Sequence, residues 1–268
     1  MNASIFVEGA AGNRLHLVDW GGSGLGLLLL HGMAANTAWW DPVAPLLGGR
    51  RVVALDLRGH GDSGWTDGYS LDDYAADVEA VRRGLGWERF SIAAHSLGAR
   101  IALRCASNGA PLDAAALLDF YAADWPGRAV PSGTRSQPAY ADEDSIVARF
   151  RLQPPGTLLD EAGLRALARR GVRQGPDGRW SWKFDWRVVS QAVDWDPGEP
   201  SRAAIPVLLV RGEASETMPR AAFKSVLNAL PDARGVEIPR AHHHVTLDAP
   251  RECAEALGSF LDSIPSRS

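Results

Sequence analysis

Lysine is almost absent from this chain. Its 268 residues hold Lys183 and Lys224 and no other, and arginine carries the rest of the basic charge. No basic block appears and the formal net charge is −4. Nothing in that pattern attracts a polyphosphate backbone, so no nucleic-acid partner is expected. Cysteine is nearly as scarce. Cys105 and Cys253 both fall in helix-like stretches, which fits buried free thiols better than a disulfide and points to a reducing cytoplasm. Long apolar runs are missing as well. "LGLLLLHG" is far too short to cross a bilayer, and the opening "MNASIFVEGAAGN" has neither a basic start nor an apolar core. No signal peptide, membrane span or membrane partner is expected.

What is present is an alternation. "RLHLVDW", "GLLLLHG", "RVVALDL", "RFSIAAH", "AAALLDF", "IPVLLVRG" and "RGVEIPR" read as strands. Between and after them lie "TAWWDPVAPLL", "SLDDYAADVEAVRRGLG", "LGARIALRCASNG", "RAAFKSVLNAL" and "PRECAEALGSFLDSI", which read as helices. Continuous apolar strands alternating with helices predict an α/β fold, with a mostly parallel central sheet covered on both faces. Residues 121–203 break the rhythm with clustered prolines, helical pieces and five tryptophans, Trp125, Trp180, Trp182, Trp186 and Trp195. They predict an inserted helical cap, leaving 1–120 and 204–268 as the core.

The stretch "AAHSLGAR" places Ser96 between an apolar strand and a helix, with Ala94 two residues before it and Gly98 two after. A sharp strand-to-helix turn strains its central residue and crowds its neighbours, and small flanking residues relieve the crowding. This is the nucleophile elbow, normally G-x-S-x-G, with alanine in the first glycine position. A serine hydroxyl needs a base. "RAHHHVTLDAP" offers His242, His243 and His244. Adjacent side chains rarely converge on one ion, and no cysteine or carboxylate cluster accompanies them, so no metal is expected. His243 is the candidate base. An oxyanion needs two N–H donors. Leu97, after the serine, supplies one, and Met33, in the turn of "LLLLHGMAAN", the other.

With these pieces in order the chain resembles the α/β-hydrolase fold superfamily. The resemblance rests on "HGM", on "DLRGHGDS" at 56–63, on "HSLG" at 95–98, and on a histidine five residues before the acid of "DAP". It favours His243 over its neighbours, because histidine, four residues, acid, one residue and proline fit His243, Asp248 and Pro250. It implies a structural role for Asp56, Arg58 and Ser63. In the family the triad acid normally stands three residues beyond a glycine, in the segment that reads "VRGEASETMP" here. That position holds Ser215, flanked by Glu213 and Glu216. Some esterases, lipases and cofactor-independent dioxygenases of the family draw the acid from the end of the preceding core strand, where this chain has Asp119. A carboxylate ending an apolar run needs a partner, so Asp119 is ranked first, with Glu216 and Glu213 as alternatives.

The expected activity is serine hydrolysis of a small or medium, apolar carboxylic ester or lactone through an acyl-enzyme, with no cofactor. Trp39, Trp40, Trp125 and Trp186 are candidate pocket residues. A carbon–carbon bond hydrolase, a cofactor-independent dioxygenase and a non-catalytic ligand receptor are the rivals on the same fold. A homo-oligomer stays open.

Overall fold

The computed structural model describes residues 2–123, 137–191 and 193–265. Strands β1 (Ala3–Glu8) and β2 (Arg14–Gly21) form an antiparallel hairpin at one edge. β3 (Gly26–Leu30) and β4 (Arg51–Leu55) follow, then α1 (Leu71–Gly84), β5 (Phe90–His95), α2 (Leu97–Ser107) and β6 (Leu112–Leu118). The insertion contributes α3 (Glu143–Val147), α4 (Glu161–Arg170), β7 (Val172–Gln174) and β8 (Trp180–Trp182). The chain returns through β9 (Val207–Gly212), α5 (Arg220–Ala229), β10 (Ala233–Ile238), α6 (Val245–Asp248) and α7 (Pro250–Asp262).

The eight core strands lie in the order β1-β2-β4-β3-β5-β6-β9-β10. β2 pairs antiparallel with β4, and every pairing from β4 onward is parallel. Residues of β3 sort by parity. Leu28 and Leu30 face a core with α1, α2 and α5, while Leu27 and Leu29 face a second core with α7. A strand buried on both faces reads as an unbroken apolar run, hence "LLLL". α1 starts at a capping box in which the Ser70 hydroxyl and the Asp73 carboxylate satisfy each other's backbone N–H.

Two expectations need correction. "TAWWDPVAPLL" is not one helix but two 3-10 turns, Thr37–Trp40 and Ala44–Leu46. Pro42 and Pro45 have no N–H to give to a longer ladder. The insertion is not purely helical either, because β7 and β8 pair antiparallel, Val172 opposite Trp182. Both cysteines are free and buried, and burial pushes each thiol up to about 12. No helix among the described residues is long and apolar enough to cross a membrane.

Parallel strands bring their carboxyl ends to one edge of the sheet, where α/β folds hold their ligands. There α2 crosses very close to the end of β3. A side chain on Gly98 would start 2.7 Å from the Leu30 carbonyl oxygen and 2.8 Å from that of His31. Backbone cannot yield as a flexible side chain can. Gly98→Ala should therefore cost about 1–3 kcal/mol. A urea titration should show the midpoint falling with an unchanged m value.

Candidate active site

β5 ends at His95, and Ser96 takes φ 55° and ψ −116° before α2 begins. A left-handed φ on a residue with a side chain stores strain of roughly 1–3 kcal/mol, and such strain gathers at functional sites. It lifts the Ser96 hydroxyl out of the strand-helix junction. Gly32 packs against it, for a side chain there would start 3.1 Å from the Ser96 Cβ.

The loop after β10 carries His243 to the serine. The Ser96 Oγ lies 3.1 Å from His243 Nε2, and His243 Nδ1 lies 2.8 Å from Asp119 Oδ1. A carboxylate oxygen can only accept, so Nδ1 holds the ring proton and Nε2 is left bare toward the hydroxyl. Asp119 follows β6, is fully buried and also has a positive φ, 38°. Its Oδ1 accepts a second hydrogen bond from the Ser215 hydroxyl at 2.7 Å, and its Oδ2 accepts from the Gly212 N–H at 2.8 Å. Glu213 and Glu216 are exposed at the surface, and Glu213 Oε2 accepts from the Arg240 N–H. The two alternative acids therefore stand outside the hydrogen-bonded chain.

Met33 lies in the turn after β3, and Leu97 opens α2. No backbone carbonyl among the described residues takes either N–H. The first N–H groups of a helix have no intrahelical partner and carry its positive end, which suits an anion.

Burial dominates the protonation of the pair. It raises the Asp119 carboxyl to about 7, against the pull of Ser215, Gly212 and Arg211 toward the carboxylate. It lowers the His243 ring below its ordinary value, aided by the neighbouring His244. A working relay needs neutral His243 and ionised Asp119, and one further proton on either group removes that state. Activity held in this way should rise with pH, with the midpoint of kcat/KM near 7. Ser215→Ala deletes a donor to the carboxylate, so its proton is held more tightly. The acid limb should move up by about one pH unit, with little loss on the alkaline plateau. A pH–rate profile of both proteins checks the sign; a limb that moves down would exclude it.

The tryptophans divide. Trp39 stacks on His95, ring centroids 6.2 Å apart, and meets His244 edge-on at 5.3 Å, so it packs against the two imidazoles that flank His243. Trp40 is a correction. It turns into the core among Leu27, Leu29 and Val43 at 1% exposure and has no face for a ligand. Successive positions of a 3-10 turn point about 120° apart, so one tryptophan packs on the histidines and the next enters the core. Trp186 packs on Phe184 within the insertion. Trp125 lies outside the described residues.

The alpha/beta hydrolase family model matches residues 27–256. The chain belongs to the alpha/beta hydrolase family. Among curated proteins it is similar to the 2-(acetamidomethylene)succinate hydrolase of Mesorhizobium japonicum, 28% identical over 90% of each chain. It is also similar to the esterase Rv0045c of Mycobacterium tuberculosis, 27% identical over 96% of this chain and 89% of that one. A crystal structure of E-2-(acetamidomethylene)succinate hydrolase superimposes with a TM-score of 0.83 at 25% identity, covering 98% of this chain and all of that one.

In this hydrolase the "DLRGHGDS" turn is turned inward. Asp56 accepts from the Thr37 and Asp62 N–H groups and pairs with His16, and Arg58 is held on the buried Asp77. The Ser63 hydroxyl donates to the Asp56 carbonyl and accepts from the His16 N–H. Arg58, 2% exposed, has no reach to a substrate. Sequence reasoning missed the tie between insertion and histidine loop. Asp248 accepts from the Thr157 hydroxyl and the Leu158 N–H on one oxygen, and from the His242 N–H on the other. It missed the Ser215 contact too, although its position three residues after Gly212 was a signal.

Proposed function

We propose that this hydrolase cleaves a small or medium carboxylic ester or lactone through an acyl-enzyme on Ser96. The observation that carries the reading is the unbroken hydrogen-bonded chain from Ser96 through His243 to Asp119 at a strained strand-helix turn. His243 Nε2 takes the hydroxyl proton as Oγ attacks the carbonyl carbon. The displaced electron pair moves onto the carbonyl oxygen, which the Met33 and Leu97 N–H groups receive. Asp119 holds the ring orientation and balances the imidazolium. Collapse breaks the bond to the leaving oxygen, and His243 returns the proton to it. Water then repeats the route on the acyl group, with no metal or organic cofactor required. Trp39, packed against His95 and His244, is the apolar side chain this reading takes for the pocket wall.

The esterase relative supports this class. The succinate hydrolase relative favours a second reading, because its name describes an acetamide rather than an ester. A panel of p-nitrophenyl esters, aryl lactones and N-acyl enamides separates the two. Turnover of esters with a trapped acyl adduct on Ser96 is expected. Cleavage of the enamides alone would replace the first reading with the second, and binding without turnover would make the protein a receptor.

A further inference from the structure

Three imidazoles meet behind the serine. One ring nitrogen from each of His95, His243 and His244 lies within 4.8 Å of those of the other two. The histidine triple alone does not converge; the third ring comes from the end of β5. All three residues are buried, at 2%, 4% and 1% exposure.

Their tautomers are fixed by what they touch. His95 Nε2 lies 2.8 Å from the His243 carbonyl oxygen, and His244 Nε2 lies 2.9 Å from the Pro154 carbonyl oxygen. Carbonyls only accept, so both Nε2 atoms carry the proton and both Nδ1 atoms are bare. Neither of those buried Nδ1 atoms has a hydrogen-bond partner among the described residues. His243 donates from Nδ1 to Asp119, so its Nε2 is bare as well. Three acceptors cannot satisfy one another. Each ring is anchored through its N–H to a carbonyl or carboxylate, which is how proteins orient imidazoles that ligate metals.

We propose that His95, His243 and His244 bind a divalent transition-metal ion of the zinc type, and that the bound ion silences the hydrolase. Three nitrogens about 2.0–2.1 Å from a tetrahedral zinc stand about 3.4 Å apart, against separations of up to 4.8 Å between one ring nitrogen of each residue here. The Ser96 Oγ, 3.1 Å from His243 Nε2, is the oxygen at hand for the fourth position. The ion occupies the lone pair with which His243 would take the serine proton, so metal binding and proton transfer exclude each other. Only this inhibitory consequence rests on the proposed function; the binding does not.

Calorimetric titration with zinc should find one site in the wild type and one in Ser96→Ala, which keeps all three rings. His95→Gln and His244→Gln retain an N–H for the carbonyls but lose an imidazole, and each should bind zinc at least tenfold more weakly. His242→Ala, outside the cluster, should bind unchanged. Cobalt added to the wild type should give the visible bands of a tetrahedral site, a readout that needs no variant to fold. Wild-type ester turnover should fall with zinc occupancy and return with EDTA. No saturable site, an octahedral cobalt spectrum, or unchanged zinc affinity in both glutamine variants would overturn the inference. A protein that binds zinc yet cleaves no ester would refute the proposed function and leave the site standing.

Discussion

Ser96→Ala should take up no fluorophosphonate, while the wild type takes up one equivalent per chain. Ester turnover should drop by about 10⁶ in kcat, the scale on which nucleophile removal is felt when the rest of a triad survives. The substitution is mild for the fold. Alanine keeps the Cβ that packs near Gly32, and the φ of 55° strains alanine as it strains serine. The hydroxyl lost makes one part-buried hydrogen bond, to His243. Thermal melting should therefore stay within a few degrees of the wild type. Folded Ser96→Ala protein that retains full turnover would end the serine-hydrolase reading.

Asp119→Asn is expected to cost about 10⁴ in kcat, because it reverses the histidine tautomer without disturbing shape. The orientation of the new amide follows from its neighbours. The Gly212 N–H can only donate, so it holds the amide oxygen. The amide NH2 then faces Ser215 and His243 Nδ1. A donor there demands a bare Nδ1, which moves the ring proton to Nε2, against the serine it should deprotonate. Glu213→Gln and Glu216→Gln, both at exposed positions, should each lose less than about tenfold, or 1.4 kcal/mol in the barrier. Equal and large losses at one of these glutamates, with Asp119→Asn near wild type, would move the acid.

Much of the fold was legible because burial on both faces leaves continuous apolar strands, as in "GLLLL" and "LDAAALL". β1 escaped because it is an edge strand with an exposed, mixed pattern. β7 and β8 escaped because three residues are too few to show a period. Ser96 was legible because elbow strain demands small neighbours in fixed places. The register within the histidine triple came from family resemblance, since three identical neighbours carry no internal distinction. Trp40 was misread because composition cannot say which way adjacent rings turn. The contacts of Asp119 with Ser215 and of His95 with the His243 carbonyl join residues 96 and 148 positions apart, and no local pattern encodes them.

The Ser215 hydroxyl touches the same carboxylate oxygen that holds His243. Two neighbouring strand ends thus share one point beside the imidazole, and a short side chain from either can arrive there. That makes the acid portable over evolutionary time. A lineage could exchange the carboxylate between positions 119 and 215 without rebuilding the sheet, the loop or the base. The barrier lies in the intermediate with both acids, where two buried carboxylates would have to share a proton. Serine at 215 suits either arrangement, small enough not to crowd the carboxylate at 119 and able to donate to it.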